Sequence, residues 1–259
     1  MMLTIGRAAD WEATMRSVLV YPELGYEGSR VRECRDYGIP QGAIDDYIHK
    51  GNNDDGAWPA DTWLILHYQF DWRVRRLHPA GVSGLGIYLG DMVRQFRGTH
   101  DAGWIVDYGC NAWVDASAAF AQAGMFSVQL VDVNLPSLEF AAWKLERLGI
   151  PSSVFWVQDT SCEVDEIVSD AALVIESTAF EHVANIRDQF APLMQKIRPG
   201  GWFLTNYTRL DWGRPDLDGF PESHAHQPAA IAFAESIAER AAFDPEQTPG
   251  DGWDLWVVK

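Results

Sequence analysis

From Gly103 onward the chain alternates short apolar runs with amphipathic segments, an order that few folds accept. The strand candidates are Trp104–Tyr108, Ser127–Val133, Ser153–Gln158, Ala171–Glu176, Trp202–Asn206 and Trp253–Val258. The helix candidates are Asp115–Ala123, Pro136–Leu148, Ile186–Ile197 and Gln227–Ala242, while Cys162–Ile167 is too short to assign. Strands joined through helices must cross over, so the expected fold is α/β, with a mainly parallel sheet and helices on both faces. Such sheets bind ligands at the carboxyl ends of their strands, where the strand order reverses.

The preceding residues differ in texture. Asp10–Leu19 reads as a short helix with Asp10 as its N-cap. Residues 21–60, rich in Gly, Pro, Asp, Asn and Tyr, read as irregular, and GNNDDGAWP (51–59) reads as a loop. Asp61 is placed to cap a helix through TWLILHYQFDWRVRRL, and Leu85, Tyr88, Leu89, Met92, Val93 and Phe96 recur at helical spacing over Leu85–Arg97. The expected organisation is a mostly helical cap or substrate region, 1–100, followed by an α/β core, 101–259. The aromatics Trp58, Trp63, Tyr68, Phe70, Trp72 and Tyr88 either fill a helical core or line a substrate pocket.

Charge narrows the partners. The net charge is −17, and residues 101–259 carry 24 acids against 9 bases, while residues 1–100 carry 13 against 11. Such a surface repels phosphate backbones and anionic lipids. A small molecule is therefore the expected partner, not nucleic acid or membrane, and a homodimer stays open. No apolar run is long enough to span a bilayer, and the start MMLTIGRAADWEATMRSVLV lacks a basic stretch leading into a long apolar one. Cys34, Cys110 and Cys162 match neither a disulfide framework nor a zinc pattern, so a reduced cytoplasmic protein is expected. His224-Ala-His226 has no third ligand at a recognisable spacing, so no metal is expected.

The strand ends hold the chemistry. The first leads into Asp107-Tyr108-Gly109-Cys110-Asn111-Ala112-Trp113, where glycine permits a tight turn and asparagine suits a left-handed backbone. The turn meets a helix start, whose free N–H groups can receive a ligand carboxylate. The full G-x-G-x-x-G fingerprint is absent, which disfavours a nicotinamide enzyme. The second strand ends in Asp132, followed by Val133, at the spacing of a ribose-diol acceptor. The third ends in Asp159-Thr160, which either caps the next segment or meets an adenine amino group, and the fourth in Glu176-Ser177-Thr178.

VDYGCN (106–111), LVDVN (130–134), VQDT (157–160), FEHV (180–183) and KIRPGGWFLTN (196–206), in this order and spacing, resemble a class I S-adenosylmethionine-dependent methyltransferase. The resemblance covers about residues 103–206. It implies a seven-stranded Rossmann-like sheet whose last strand, DLWVVK, runs antiparallel, and S-adenosyl-L-methionine as cofactor. It further implies cofactor contacts by Asp107, Tyr108, Gly109, Asn111, Asp132, Val133, Asp159, Thr160 and Glu176. Asp107 would lie near the ligand's ammonium, Asp132 at its ribose and Asp159 at its adenine. Ser177, Tyr207, Arg209 and Trp212 are candidate substrate contacts, and Tyr207, Asp211 and His182 candidate bases.

The family loop reads D/E-x-G-x-G-x-G. Here Asn111 replaces the second glycine and Trp113 the third. The Trp113 indole either packs under the first helix, covers the cofactor or fills part of its pocket. The expected activity is methyl transfer to an oxygen or nitrogen of a small molecule. The alternative is a protein of this fold that binds the cofactor or a protein partner without transferring methyl. Glu176-Ser177-Thr178-Ala179 stands where adenine- and glutamine-N-methylating branches carry [N/D]-P-P-[Y/F], which argues against those branches.

Overall fold

A computed structural model describes residues 9–50, 60–70, 85–158, 164–177, 179–183, 185–209, 221–241 and 253–259. Helices α1 (Ala9–Ser17), α2 (Gly25–Tyr37), α3 (Gln41–Lys50), α4 (Ala60–Phe70) and α5 (Leu85–Thr99) come first. There follow β1 (Ala102–Tyr108), α6 (Asp115–Ala121), β2 (Met125–Asp132), α7 (Leu135–Arg147), β3 (Ser152–Trp156) and β4 (Ala171–Glu176). The chain closes with α8 (Ile186–Gln195), β5 (Ile197–Thr205), α9 (Pro221–Ile237), β6 (Ala238–Arg240) and β7 (Asp254–Val258).

The seven strands form one sheet in the order β3-β2-β1-β4-β5-β7-β6. The pairings from β3 to β5 are parallel, and β7 runs antiparallel to β5 and β6. This is the α/β sheet expected from the alternation of runs, with the antiparallel last strand that the resemblance implied. Two apolar layers sandwich it. One gathers Ile105, Val128, Leu130 and Leu173 with Met15 of α1, Val18 just after it, Leu89, Met92 and Phe96 of α5 and Phe120 of α6. The other gathers Val106, Val131, Val174 and Phe203 with Phe190, Leu193, Ala230 and Ala234 from α8 and α9. A third cluster joins α2, α3 and α4 to Phe140 of α7 and to Ala112.

Local chemistry sets the ends of α7. Asn134 caps its start, accepting the Ser137 N–H at 3.0 Å. Gly149, with φ 72°, ends it: its N–H bonds Glu146 O while Ile150 N–H bonds Leu145 O, the paired closure that needs a left-handed residue.

The structure corrects several boundaries. Residues 21–60, read as irregular, contain α2 and α3. Asp10 lies inside α1 and not at its N-cap. The gap expected between a helix ending at Ile197 and a strand starting at Trp202 lies within β5. α8 stops at Gln195, and Pro199-Gly200-Gly201 form an irregularity inside β5, between the pairs Ala171↔Ile197 and Leu173↔Trp202. Composition marks the break in the ladder but not the chain's return to it. The short strand β6 was not expected. The post-β3 residues 159–163 lie outside the described residues, and Val164–Glu166 form a 3₁₀ turn.

Candidate functional site

The chain runs outward from β1 through β2 to β3, then returns to β4 on the other side of β1. The strand order reverses between β1 and β4, the point at whose carboxyl ends sheets of this kind bind ligands. Pairing aligns those ends: Tyr108 sits opposite both Val131 and Glu176, and Asp132 opposite Trp156. Asp107, Asp132 and Glu176 are thereby brought to one edge of the sheet.

Asp132 organises that edge. One carboxylate oxygen accepts the Asn111 N–H at 2.7 Å and the other the Asn134 N–H at 2.8 Å. These bonds do not exhaust the lone pairs of the carboxylate, so it can still accept from a hydroxyl. Burial raises its pKa, and the N–H bonds from Asn134, Asn111 and Val133 oppose the rise. Beside it, Val133 is 51% and Trp156 44% exposed, and the Trp156 indole N–H donates to Val133 O at 3.0 Å. Two apolar side chains open to solvent thus flank Asp132.

The loop between β1 and α6 follows its sequence closely. Gly109 (φ 69°) and Asn111 (φ 48°) both adopt the left-handed backbone. A Cβ on Gly109 would stand 2.2 Å from Ala179 Cβ, so only glycine lets this loop approach the one after β4. Asp107 is buried beneath the loop. Burial pushes its carboxyl up to about 7, the Ser117 hydroxyl opposes the rise and nearby Asp132 adds to it. A cation placed beside it would favour its ionised form.

Trp113 packs against the core, and its indole N–H donates to Asp115 at 3.2 Å. Of the three roles open to it in the sequence, the structure shows packing beside the start of α6.

Other expected residues divide. The Tyr108 side chain lies in the core against Phe180, leaving only its backbone for a ligand. Glu176 is fully buried: one oxygen accepts the Ala179 and Phe180 N–H groups at 2.9 and 3.1 Å, and the other the Thr205 hydroxyl. It shapes the loop after β4 instead of presenting a carboxylate. Tyr207 is also fully buried, its hydroxyl donating to Ser223 O at 2.5 Å, which removes it as a base or substrate contact in this structure. Ser177 is half-buried and His182 exposed, in the turn Phe180–His182. The backbone of Arg209 ends the turn Tyr207–Arg209. Asp159, Thr160, Asp211 and Trp212 lie outside the described residues. His224 and His226 fall within α9, and among the described residues no group of three or more His, Cys, Asp or Glu could hold a metal.

No family model matches the chain, and no curated protein does. Among solved structures it is similar to an S-adenosylmethionine-dependent methyltransferase from Aquifex aeolicus, with 12% identity, 66% of this chain and 88% of that one covered, and a TM-score of 0.45. It is similar to a putative caffeoyl-CoA O-methyltransferase from Staphylococcus aureus, with 11% identity, 85% and 98% covered, and a TM-score of 0.49. It is also similar to an rRNA methylase from Streptococcus thermophilus, with 14% identity, 65% and 93% covered, and a TM-score of 0.43.

One feature at the site was missed in the sequence. Arg30, Glu33, Asp115 and Lys144 form a buried quartet of two cations and two anions. Arg30 meets Glu33 at 2.7 Å and Asp115 at 2.5 Å, and Lys144 meets Asp115 at 2.5 Å. Burial alone would raise the Asp115 and Glu33 carboxyls, but the Arg30 and Lys144 charges hold both below their ordinary values. A signal existed: Lys144 falls on the apolar stripe of α7 with Leu138, Ala141 and Leu145. A cation on such a stripe demands a buried partner.

Proposed function

We propose that this protein transfers a methyl group from S-adenosyl-L-methionine to an oxygen or nitrogen of a small molecule. The observation that carries the reading is Asp132, a buried carboxylate at the end of β2. It ties down the β1 loop through Asn111 and keeps acceptor capacity for a ribose diol. Val133 and Trp156 would face the adenine, with Asp159 and Thr160 at its amino group. Gly109, Asn111 and the Tyr108 backbone would carry the methionine end, with Asp107 near the ammonium, and Glu176 would act by holding the neighbouring loop.

When bound, the cofactor supplies an electrophilic methyl on a sulfonium, and its sulfur departs as a neutral thioether when the acceptor bonds to that carbon. The protein's share is alignment and exclusion of water. The acceptor's proton needs a destination, and His182 and Asp211 are the groups to test for it. Ser177, Arg209, Trp212 and the first hundred residues would select the acceptor. The acidic surface supports a small acceptor over a polyanionic one.

The state of Asp107 gives a pH prediction. Below about 7 the ligand-free carboxyl holds a proton, and an adjacent cation favours its release. Affinity for S-adenosylmethionine should therefore rise roughly tenfold from pH 6 to 7.5 and then level off. Calorimetry at pH 6 in two buffers of unequal ionisation heat should show close to one proton released. An affinity flat over this range would remove Asp107 from the ammonium site. The transfer itself is tested by incubation with a small-molecule library. The expected result is a methyl mass gain on one acceptor with equimolar S-adenosylhomocysteine; cofactor binding without any transfer would reject the enzymatic reading.

A further inference from the structure

The loop Gly109–Val114 is held from two directions. On the sheet side, Gly109 N–H bonds Val131 O at 2.7 Å and Asn111 N–H bonds Asp132. On the other side the contacts come from helices at the start of the chain. Gln69, at the end of α4 and buried, donates its side-chain amide to Ala112 O at 2.9 Å. The Ala112 side chain is fully buried and belongs to the α2–α4 cluster, with Cys34, Ile65, Leu66 and Phe70. At the loop's far end, Trp113 N–H and Arg30 of α2 share one oxygen of Asp115. Glu33 fastens the same helix inward, accepting from Ser29 at 2.8 Å and from the Val20 N–H at 3.2 Å.

The Ala112 carbonyl follows directly on left-handed Asn111, and the backbone there can rotate only if that carbonyl swings. A donor fixed on Ala112 O and a cation fixed on Asp115 hold the chain immediately after Asn111, whose N–H donates to Asp132. Sheet and N-terminal helices therefore set this loop together.

We propose that Gln69 of α4 and Arg30 of α2 belong to the cofactor-binding apparatus, as positioning residues for the loop Gly109–Val114. The proposal rests on the reading of that loop as the cofactor loop. It gives Gln69 and Arg30 a task beyond acceptor selection: without their contacts the β1 loop loses the backbone that receives the ligand.

The test uses the full chain and Gln69→Met, which keeps the length of the side chain but removes its donor. It also removes the Gln69 carbonyl oxygen, which among the described residues is buried without a hydrogen-bond partner; this offsets part of the cost of leaving Ala112 O unpaired, so only a moderate loss of stability is expected. Trp113→Phe is the second variant, should the first fold poorly. Arg32→Ala is the control, since Arg32 pairs with Asp36 on the exposed face of α2. S-adenosylhomocysteine affinity is read by calorimetry, and exchange of the amides of residues 109–115 by mass spectrometry, both well below the melting temperature. Gln69→Met should weaken affinity at least fivefold and speed exchange in this segment, with a melting temperature within a few degrees of the parent, while Arg32→Ala changes neither. Unchanged affinity and exchange in a folded Gln69→Met protein would overturn the proposal. If the parent binds neither S-adenosylmethionine nor S-adenosylhomocysteine, the cofactor reading falls by itself. Exchange then decides the positioning claim: faster in Gln69→Met but not in Arg32→Ala upholds it, and equal rates overturn it.

Discussion

Asp132→Ala should weaken S-adenosylmethionine binding by at least tenfold and nearer a hundredfold, while the protein still folds. Two losses combine. The ribose would lose a charged acceptor, and hydrogen bonds to charged groups are worth about 1.5–3 kcal/mol each. The Asn111 and Asn134 amides would also lose the carboxylate that fixes both loops. A hundredfold change corresponds to about 2.7 kcal/mol, within reach of the first loss alone. Asp132→Asn should fall between, because its amide nitrogen cannot accept from the backbone N–H it would face. Calorimetric titration of both variants separates the cases, and parental affinity in Asp132→Ala would reject the ribose assignment.

Lys144→Met should be the most destabilising of these substitutions. It leaves two buried carboxylates, Glu33 and Asp115, facing the single cation Arg30. Breaking a buried ion pair from one side costs about 3–5 kcal/mol, because the uncompensated charge remains in the interior. For a chain of this size the melting temperature should drop by roughly 10 °C or more. Replacing both Glu33→Gln and Lys144→Met restores the charge balance around the Arg30–Asp115 pair and should recover much of the loss. Thermal melts of the single and double variants test this. A double variant no better than the single one would mean that packing, and not charge, makes the quartet matter.

Where composition and period follow backbone geometry, the sequence was readable. β1, β2 and β4 appear as apolar runs because their side chains are buried, as in the fully buried Ala171–Glu176. Gly109 and Asn111 announced a left-handed turn because few other residues adopt it cheaply. Asp132 was legible because the end of the strand fixes its place. Properties that depend on distant partners were not legible. The contacts of Arg30 with Asp115 and of Gln69 with Ala112 span 85 and 43 residues. Tyr207 looked like a substrate contact because it follows β5, yet Phe180, Phe190 and the Ser223 carbonyl enclose it. α2 was hidden because its buried residues, Ser29, Arg30, Glu33 and Cys34, are mostly polar and leave no apolar stripe to read.

We place S-adenosylmethionine at the carboxyl edge of the sheet, beside Asp132. Calorimetric titration of the full chain at pH 8, with S-adenosylmethionine and with S-adenosylhomocysteine, tests it most directly. The account predicts one site per chain for each ligand, with affinity that collapses in Asp132→Ala. No heat and no binding for either ligand up to millimolar concentration would contradict it.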